Sequence, residues 1–243
     1  MLKIHSKSDI GLVRKTNEDS CNSGILPDGA AWAVVCDGMG GANGGNVASS
    51  VAVEEISKTI LSSYRNGGDA DFVRELITSA IFDANEAVHE KAGTNTELNG
   101  MGTTVVVAIV LSGVAHIAHV GDSRAYLISP EGIRRLTTDH SIVQEMVDKG
   151  DLTEQEAKIH PQKNIITRAL GVEPFVRVDY SKNEFPEGSL LLICTDGLTN
   201  YIDEDQIYKL SRECGAAGLT EKLVAHAKDA GGGDNITVTV IEN

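Results

Sequence analysis

A chain of 243 residues with 41% hydrophobic content can bury a substantial core, as one large domain or two small ones. Its 35 acidic against 21 basic side chains leave a formal charge of −14, and no run of Lys and Arg interrupts it, which argues against nucleic acid or anionic lipid as partners. No stretch reaches the length of a membrane span, and the N-terminal MLKIHSKSDIGLVRK has no apolar signal region.

Along the chain, short apolar or alternating runs predict strands at residues 2–7, 31–36, 103–111, 114–120, 125–128, 176–182, 190–195 and 236–241. Ser112-Gly113 between two of them is a hairpin signal, and Pro130-Glu131-Gly132 a second turn. Two long helical stripes intervene: Val47, Val51, Ala52, Ile56 and Ile60, then Phe72, Leu76, Ala80, Ile81, Ala84 and Val88. Shorter helices are expected at 141–148, 153–158, 204–213 and 219–229, with Thr153 and Glu156 spaced as a capping box. Strands grouped with strands, and helices with helices, give an α+β class with antiparallel sheets and helices packed outside. No repeat or linker divides the chain, so a single domain over 1–243 is expected.

The four cysteines (Cys21, Cys36, Cys194 and Cys214) form no CxxC pair. Cys36 and Cys194 lie inside apolar runs, where a thiol acts as a small core hydrophobe. A reducing, cytoplasmic setting is the expectation.

Aspartates recur where apolar runs end: Asp37 in AVVCDG, Asp196 in LLICTDG, Asp122 in HVGDSRA and Asp234 in GGGDN. Each alone reads as a turn, because Asp bonds its own backbone and Gly accepts positive φ. Together they can converge on one rim of a sheet, where mutual repulsion requires a cation to offset it. Hard carboxylate oxygens without His or Cys at suitable spacing favour Mg²⁺ or Mn²⁺ over zinc. Gly38 would let its carbonyl approach an ion unobstructed. In RKTNED, Arg14 can grip phosphate oxygens bidentately, while Glu18 and Asp19 add acids; a solvated charge cluster is the bland alternative for that run.

These segments resemble the metal-dependent protein phosphatases of the protein phosphatase 2C type. The matches run in family order: SDIGLVRKTNED (8–19), VVCDGMGG (34–41), MGTT (101–104), HVGDSRAY (119–126), LTTDHS (136–141), ITRALG (166–171), LLICTDGLTN (191–200) and GGGDNITV (231–238). The short form is similar to bacterial members. The resemblance implies a central sandwich of two antiparallel β-sheets flanked by helix pairs, four layers in all, with metals in a cleft at one end.

Carried over by position, Asp37 bridges two tightly bound Mn²⁺ or Mg²⁺ ions and the Gly38 carbonyl binds one. Asp196 and Asp234 complete the other, and Asp122 with Asp196 holds a weaker third. Arg14 matches the phosphate-binding arginine. Glu18 and Asp19 act through metal-bound waters, and Asn235 supports the site from behind the ligands. The implied reaction is hydrolysis of phosphoserine and phosphothreonine in proteins by in-line attack of a metal-bridging water, opposing a serine/threonine kinase. Kinase and substrates are then the expected partners of a monomer.

Met39 stands where eukaryotic members often carry a histidine, a candidate acid for the leaving oxygen. Met cannot donate a proton, so a metal-bound water or His160 remains open for that role. The stretch 139–169 resembles the family's substrate flap, on which Lys158, His160 and Lys163 can meet phosphopeptide or simply be solvated.

Competing motifs fail. GMGGANGG breaks GxGxxG at Asn43, and no GK dipeptide supports a Walker A loop. Neither Cys36 nor Cys194 has Arg six residues later, and no HExxH occurs. A regulatory module without turnover, and a small-molecule phosphatase with the same metal site, remain as alternatives. Retention of Arg14, Asp37, Asp196 and Asp234 favours an active enzyme.

Overall fold

A computed structural model describes residues 1–94 and 96–243, the side chains of residues 41–43 excepted; Asn43, which breaks the nucleotide-loop pattern, lies outside the described side chains. Among the described residues, eleven strands form two antiparallel sheets. The first has the order β1 (Lys3–Asp9), β11 (Ile236–Glu242), β10 (Leu190–Cys194), β7 (Arg124–Ser129), β8 (Gly132–Arg135). The second has the order β2 (Asp19–Ile25), β3 (Ala31–Met39), β5 (Val105–Leu111), β6 (Val114–Val120), β9 (Asp179–Glu184), and the short β4 (Gly102–Thr103) pairs with the end of β3.

Period-2 alternation decides what each strand face meets. On β3, Ala31, Ala33 and Val35 turn into the interface between the sheets, where they join Val106, Ala108 and Val110 of β5. Trp32, Val34 and Cys36 turn outward with Val105, Val107 and Ile109. That outer face is covered by α1 (Gly41–Ser63) and α2 (Ala70–Thr94), whose stripes of Ala52, Ile56, Ile60 and Ile77, Ala80, Ile81, Ala84 are buried against it. The other sheet sends Leu192, Cys194, Val238 and Val240 outward under α5 (Asp196–Thr199), α6 (Glu204–Glu213) and α7 (Ala216–Asp229). Four layers result, helix, sheet, sheet, helix, as expected.

Local signals hold where the expectation rested on local chemistry. Ser112 (φ 50) and Gly113 (φ 73) form the β5–β6 turn with both residues in the left-handed region, the geometry that matches strand twist. Thr153 caps α4 (Glu154–Ile159) with the full capping box to Glu156, and Ser141 caps α3 (Ile142–Lys149) by accepting from the Gln144 amide.

Two expectations need correction, and one strand was not foreseen. The polar run DSCNSGI is a strand, β2: its hydroxyls and amide meet α1, with Ser20 on Ser49 at 3.0 Å and Asn22 on Ser57 at 3.0 Å. The expected strand 103–111 is interrupted at Thr104, which leaves the ladder to bond the backbone of Asp37. The expected strand 176–182 begins later, at Asp179.

Candidate metal centre

Antiparallel registry and chain closure bring the acids together. Asp19 pairs directly with Asp37 across β2 and β3. Asp196 opens α5 straight after β10, Asp234 precedes β11, and Asp122 lies in the β6–β7 turn. Asp37 and Asp196, contributed by opposite sheets, stand close enough for their carboxyls to share a hydrogen bond.

The electrostatics follow from this crowding. Burial, then the fields of Asp19, Asp196, Asp122 and Asp234, push Asp37 well above the usual carboxylate range. Burial and the Asp196 and Asp139 charges push Asp122 up to about 8. Asp19 rises to about 7 through burial, against the lowering effect of hydrogen bonds from Thr237 and Thr195.

Asp19 also supplies a direct test of whether a cation fits. Its Oδ2 accepts from Thr195 at 2.9 Å, whereas Oδ1 is buried with no hydrogen-bond partner among the described residues. A buried carboxylate oxygen without a donor is expensive unless a positive charge faces it. Among the described residues no group of three His, Cys, Asp or Glu side chains is arranged to hold a metal ion by side chains alone. Hard divalent ions keep several waters as ligands, so an open carboxylate site still suits them.

Backbone contacts hold the acids. The Asp37 carbonyl accepts from the Thr103 hydroxyl and the Thr104 amide, both at 2.8 Å, and its amide donates to Thr104 Oγ1 at 3.0 Å. Ser123 shares a 2.7 Å hydrogen bond with that hydroxyl. The packing gives Gly38 a further reason to be glycine: a Cβ would stand 2.0 Å from the Gly45 carbonyl oxygen and 2.6 Å from that of Glu18. The N-terminus of α1 and the 10–18 loop close onto it from both sides.

Asn235 fastens that loop. Its Nδ2 donates to the carbonyls of Ile10 and Thr16, each at 3.0 Å, and its Oδ1 accepts from the Glu18 amide at 2.8 Å. Arg14 rides on the loop and donates from Nη2 to Asp234 at 2.8 Å, with its guanidinium on the carboxylate cluster at the rim.

A groove of about 550 Å³ opens beside Asp122 and Asp196. One wall belongs to the segment carrying α3 and α4, including Lys158 and Lys163; the other is formed by residues 199–206. Lys163 donates to Asn200 Oδ1 at 3.1 Å, and Asn200 Nδ2 donates to Asp196 at 2.9 Å. His160 is not among the lining residues; it caps α4 and its Nδ1 accepts from the Gln162 amide at 3.2 Å. The structure therefore brings Lys158 and Lys163 to the groove and leaves His160 outside it.

Thr104, Thr195, Ser123 and Asn200 escaped the sequence reading. Asn200 was the most legible, because i, i+4 spacing from Asp196 on a helix places the two side chains together. Thr104 acts on the backbone of Asp37 and Thr195 on the carboxylate of Asp19, both distant in sequence, which no local pattern shows.

The protein phosphatase 2C family model matches residues 13–227. Protein phosphatase PhpP of Streptococcus pneumoniae is 36% identical over 241 residues, covering 99% of this chain and 97% of that protein. The structure of the Streptococcus agalactiae serine/threonine phosphatase superposes with a TM-score of 0.92 at 33% identity, covering 100% of this chain and 99% of that one. The catalytic domain of the serine/threonine protein phosphatase PstP, in complex with two manganese ions, gives 0.86 at 30% identity, covering 99% and 97%. With this fold and this arrangement of aspartates, the chain belongs to the protein phosphatase 2C family and is a protein-serine/threonine phosphatase.

Proposed function

We propose that phosphoserine and phosphothreonine hydrolysis by this chain depends on Mn²⁺ or Mg²⁺ held by the aspartate cluster. The observation that carries this reading is the convergence of Asp19, Asp37, Asp122, Asp196 and Asp234 from both sheets, with the buried Asp19 oxygen left without a donor. Asp37, the Gly38 carbonyl, Asp196 and Asp234 would hold two ions, and Asp122 with Asp196 a weaker third. Bound divalent cations supply an acidified water as nucleophile and neutralise charge on the phosphoryl oxygens.

The chain's own residues do the rest. Arg14, seated by Asn235 and Asp234, presents its remaining guanidinium donors to the phosphoryl group at the rim. Thr103 and Thr104 fix the backbone of Asp37, and Thr195 with Thr237 orients Asp19, so the carboxylates are held in place before substrate arrives. Met39 has no proton to give the leaving oxygen. The groove beyond Asp122 and Asp196 accommodates the chain flanking a phosphorylated residue, which favours proteins over small esters as substrates. Residues 139–169 act as the substrate flap of a single catalytic domain spanning 1–243.

Such an enzyme opposes a serine/threonine kinase, acting on that kinase and its substrates as a monomer. No helix among the described residues is long and apolar enough to cross a membrane. The four cysteines are unpaired, consistent with the reducing cytoplasm as its place of action.

The test is phosphate release from a phosphothreonine peptide and from p-nitrophenyl phosphate by protein stripped with EDTA and dialysed. Release restored by Mn²⁺ or Mg²⁺, with higher kcat/KM for the peptide, is expected. Full turnover of the stripped protein in chelator would overturn metal dependence, and preference for the small ester would overturn the protein-substrate reading.

A further inference from the structure

His140 is buried, yet no catalytic step uses it. It stands at the root of the 139–169 segment and touches three separate parts of the chain. Its backbone amide donates to the Gly121 carbonyl at 2.9 Å, and its own carbonyl accepts from the Thr167 amide at 2.7 Å. Its ring is stacked on His119 of β6, with centroids 4.7 Å apart and planes 16° apart.

The ring contact that matters most is with Gly121, whose amide donates to His140 Nδ1 at 3.1 Å. An amide N–H can only donate, so Nδ1 must carry the lone pair and the ring proton must reside on Nε2. Nε2 faces one group of each kind: Asp179 Oδ2 lies 3.4 Å away as an acceptor, whereas Arg168 Nη1, which can only donate, lies 3.0 Å away and bonds the same carboxylate at 2.9 Å, so it is the Gly121 amide that assigns the ring proton. His140 thus closes a two-bond ring with Gly121, accepting from its N–H and donating to its C=O. Gly121 immediately precedes Asp122 in the β6–β7 turn.

We propose that His140, as the Nε2–H tautomer, is a positioning residue for Asp122. By holding both polar groups of Gly121 it fixes the turn that aims the Asp122 carboxylate. It also joins that turn to Thr167 at the far end of the segment bordering the groove. Without the Nδ1 acceptor, a buried amide loses its partner and the turn loses one of its two ties to His140. Partners of this kind behind a metal ligand typically change metal affinity or activity by about 10- to 100-fold.

The inference rests on the proposed role of Asp122, and a matched pair of variants tests it. Asn places its oxygen where Nδ1 stands, whereas Gln reaches the Nε2 end; His140→Asn keeps an acceptor for Gly121 and His140→Gln does not. Mn²⁺ binding by calorimetry and the Mn²⁺ dependence of kcat on p-nitrophenyl phosphate are measured for both variants, alone and combined with Asp122→Ala. Expected is a Mn²⁺ requirement raised about tenfold in His140→Gln, within twofold of wild type in His140→Asn, and no additional effect of His140→Gln once Asp122 is gone. Equal impairment of both variants, or a Gln effect that persists undiminished without Asp122, would overturn the role of His140 alone. An Asp122→Ala protein with a wild-type Mn²⁺ response would overturn the assignment of Asp122 itself. Independently of any substitution, ¹⁵N shifts of the wild-type imidazole must show a bare Nδ1 and a protonated Nε2; the opposite tautomer would also overturn the inference.

Discussion

Arg14 donates from Nη2 to Asp234 Oδ2 at 2.8 Å, joining residues 220 positions apart in the chain. The sequence alone suggested a phosphate-gripping arginine; the structure shows it already anchored by one arm of its fork. A planar guanidinium can keep that anchor and still offer further N–H groups to phosphate, which a single ammonium cannot reproduce in fixed geometry. Arg14→Lys is therefore expected to raise KM for phosphate esters about ten- to hundred-fold, the size of one lost charge-assisted hydrogen bond. Steady-state kinetics and inhibition by inorganic phosphate check this; an unchanged KM would return Arg14 to the status of a solvated charge.

At Asp37 burial is compounded by the fields of four neighbouring acids. Asp37→Asn removes that repulsion and at the same time removes the central ligand. Activity should fall by on the order of a hundred- to a thousand-fold or more. The metal-stripped variant should nonetheless melt a few degrees higher than stripped wild type, at roughly 2–4 °C per kcal/mol for a chain of this size. Calorimetric melting in EDTA decides it, and a lower Tm would mean that Asp37 is structurally satisfied without a cation.

The pH dependence of the stripped protein has a definite sign. With folded-state values of about 8 for Asp122 and about 7 for Asp19, the folded chain retains protons that the unfolded chain releases near 3.8. That contribution to stability is complete below the unfolded value and is lost as pH rises through 7 and 8. Urea stability in EDTA should consequently decline between about pH 4 and pH 8, whereas saturating Mn²⁺ should flatten the slope because the cation displaces those protons. Proton release on Mn²⁺ binding, read as a buffer-dependent heat, is the companion measurement. A stripped protein whose stability rises over this range would contradict the raised values.

Asn235 is buried and makes three hydrogen bonds to the loop that carries Arg14. Asn235→Leu keeps the volume and abandons an amide and two carbonyls. Each orphaned group costs about 1–3 kcal/mol if it stays buried, so Tm should drop by several degrees. KM should rise along with it, because Arg14 loses its seat. A variant with normal KM and reduced Tm would show that Arg14 is held by Asp234 without the loop's help.

His160 and Lys158 make opposite predictions despite being two residues apart. His160 lies outside the groove with its Nδ1 engaged by Gln162, so His160→Ala should leave kcat/KM within about twofold for both peptide and p-nitrophenyl phosphate. Lys158 lines the groove, and Lys158→Ala should change only the phosphopeptide value, since remote contacts are realised only by the longer substrate. A large rate loss on both substrates in His160→Ala would instead place it at the chemical step.

Periodicity and turn chemistry in the sequence determined the elements whose causes are local. The apolar run of β3, the Ser112-Gly113 turn and the Thr153–Glu156 capping box depend on neighbours a few residues away, and they stand in the structure as the residues dictate. The aspartates at strand ends were visible for the same reason. What the tertiary structure decided was everything that depends on a distant partner. β2 is too polar to read as a strand until Ser49 and Ser57 of α1 stand against it. Thr104 leaves its ladder only because Asp37 lies beside it, and the Asp37–Asp196 contact exists only because two sheets close face to face. Side-chain periodicity records which face of an element is buried; it carries no information about which other element buries it.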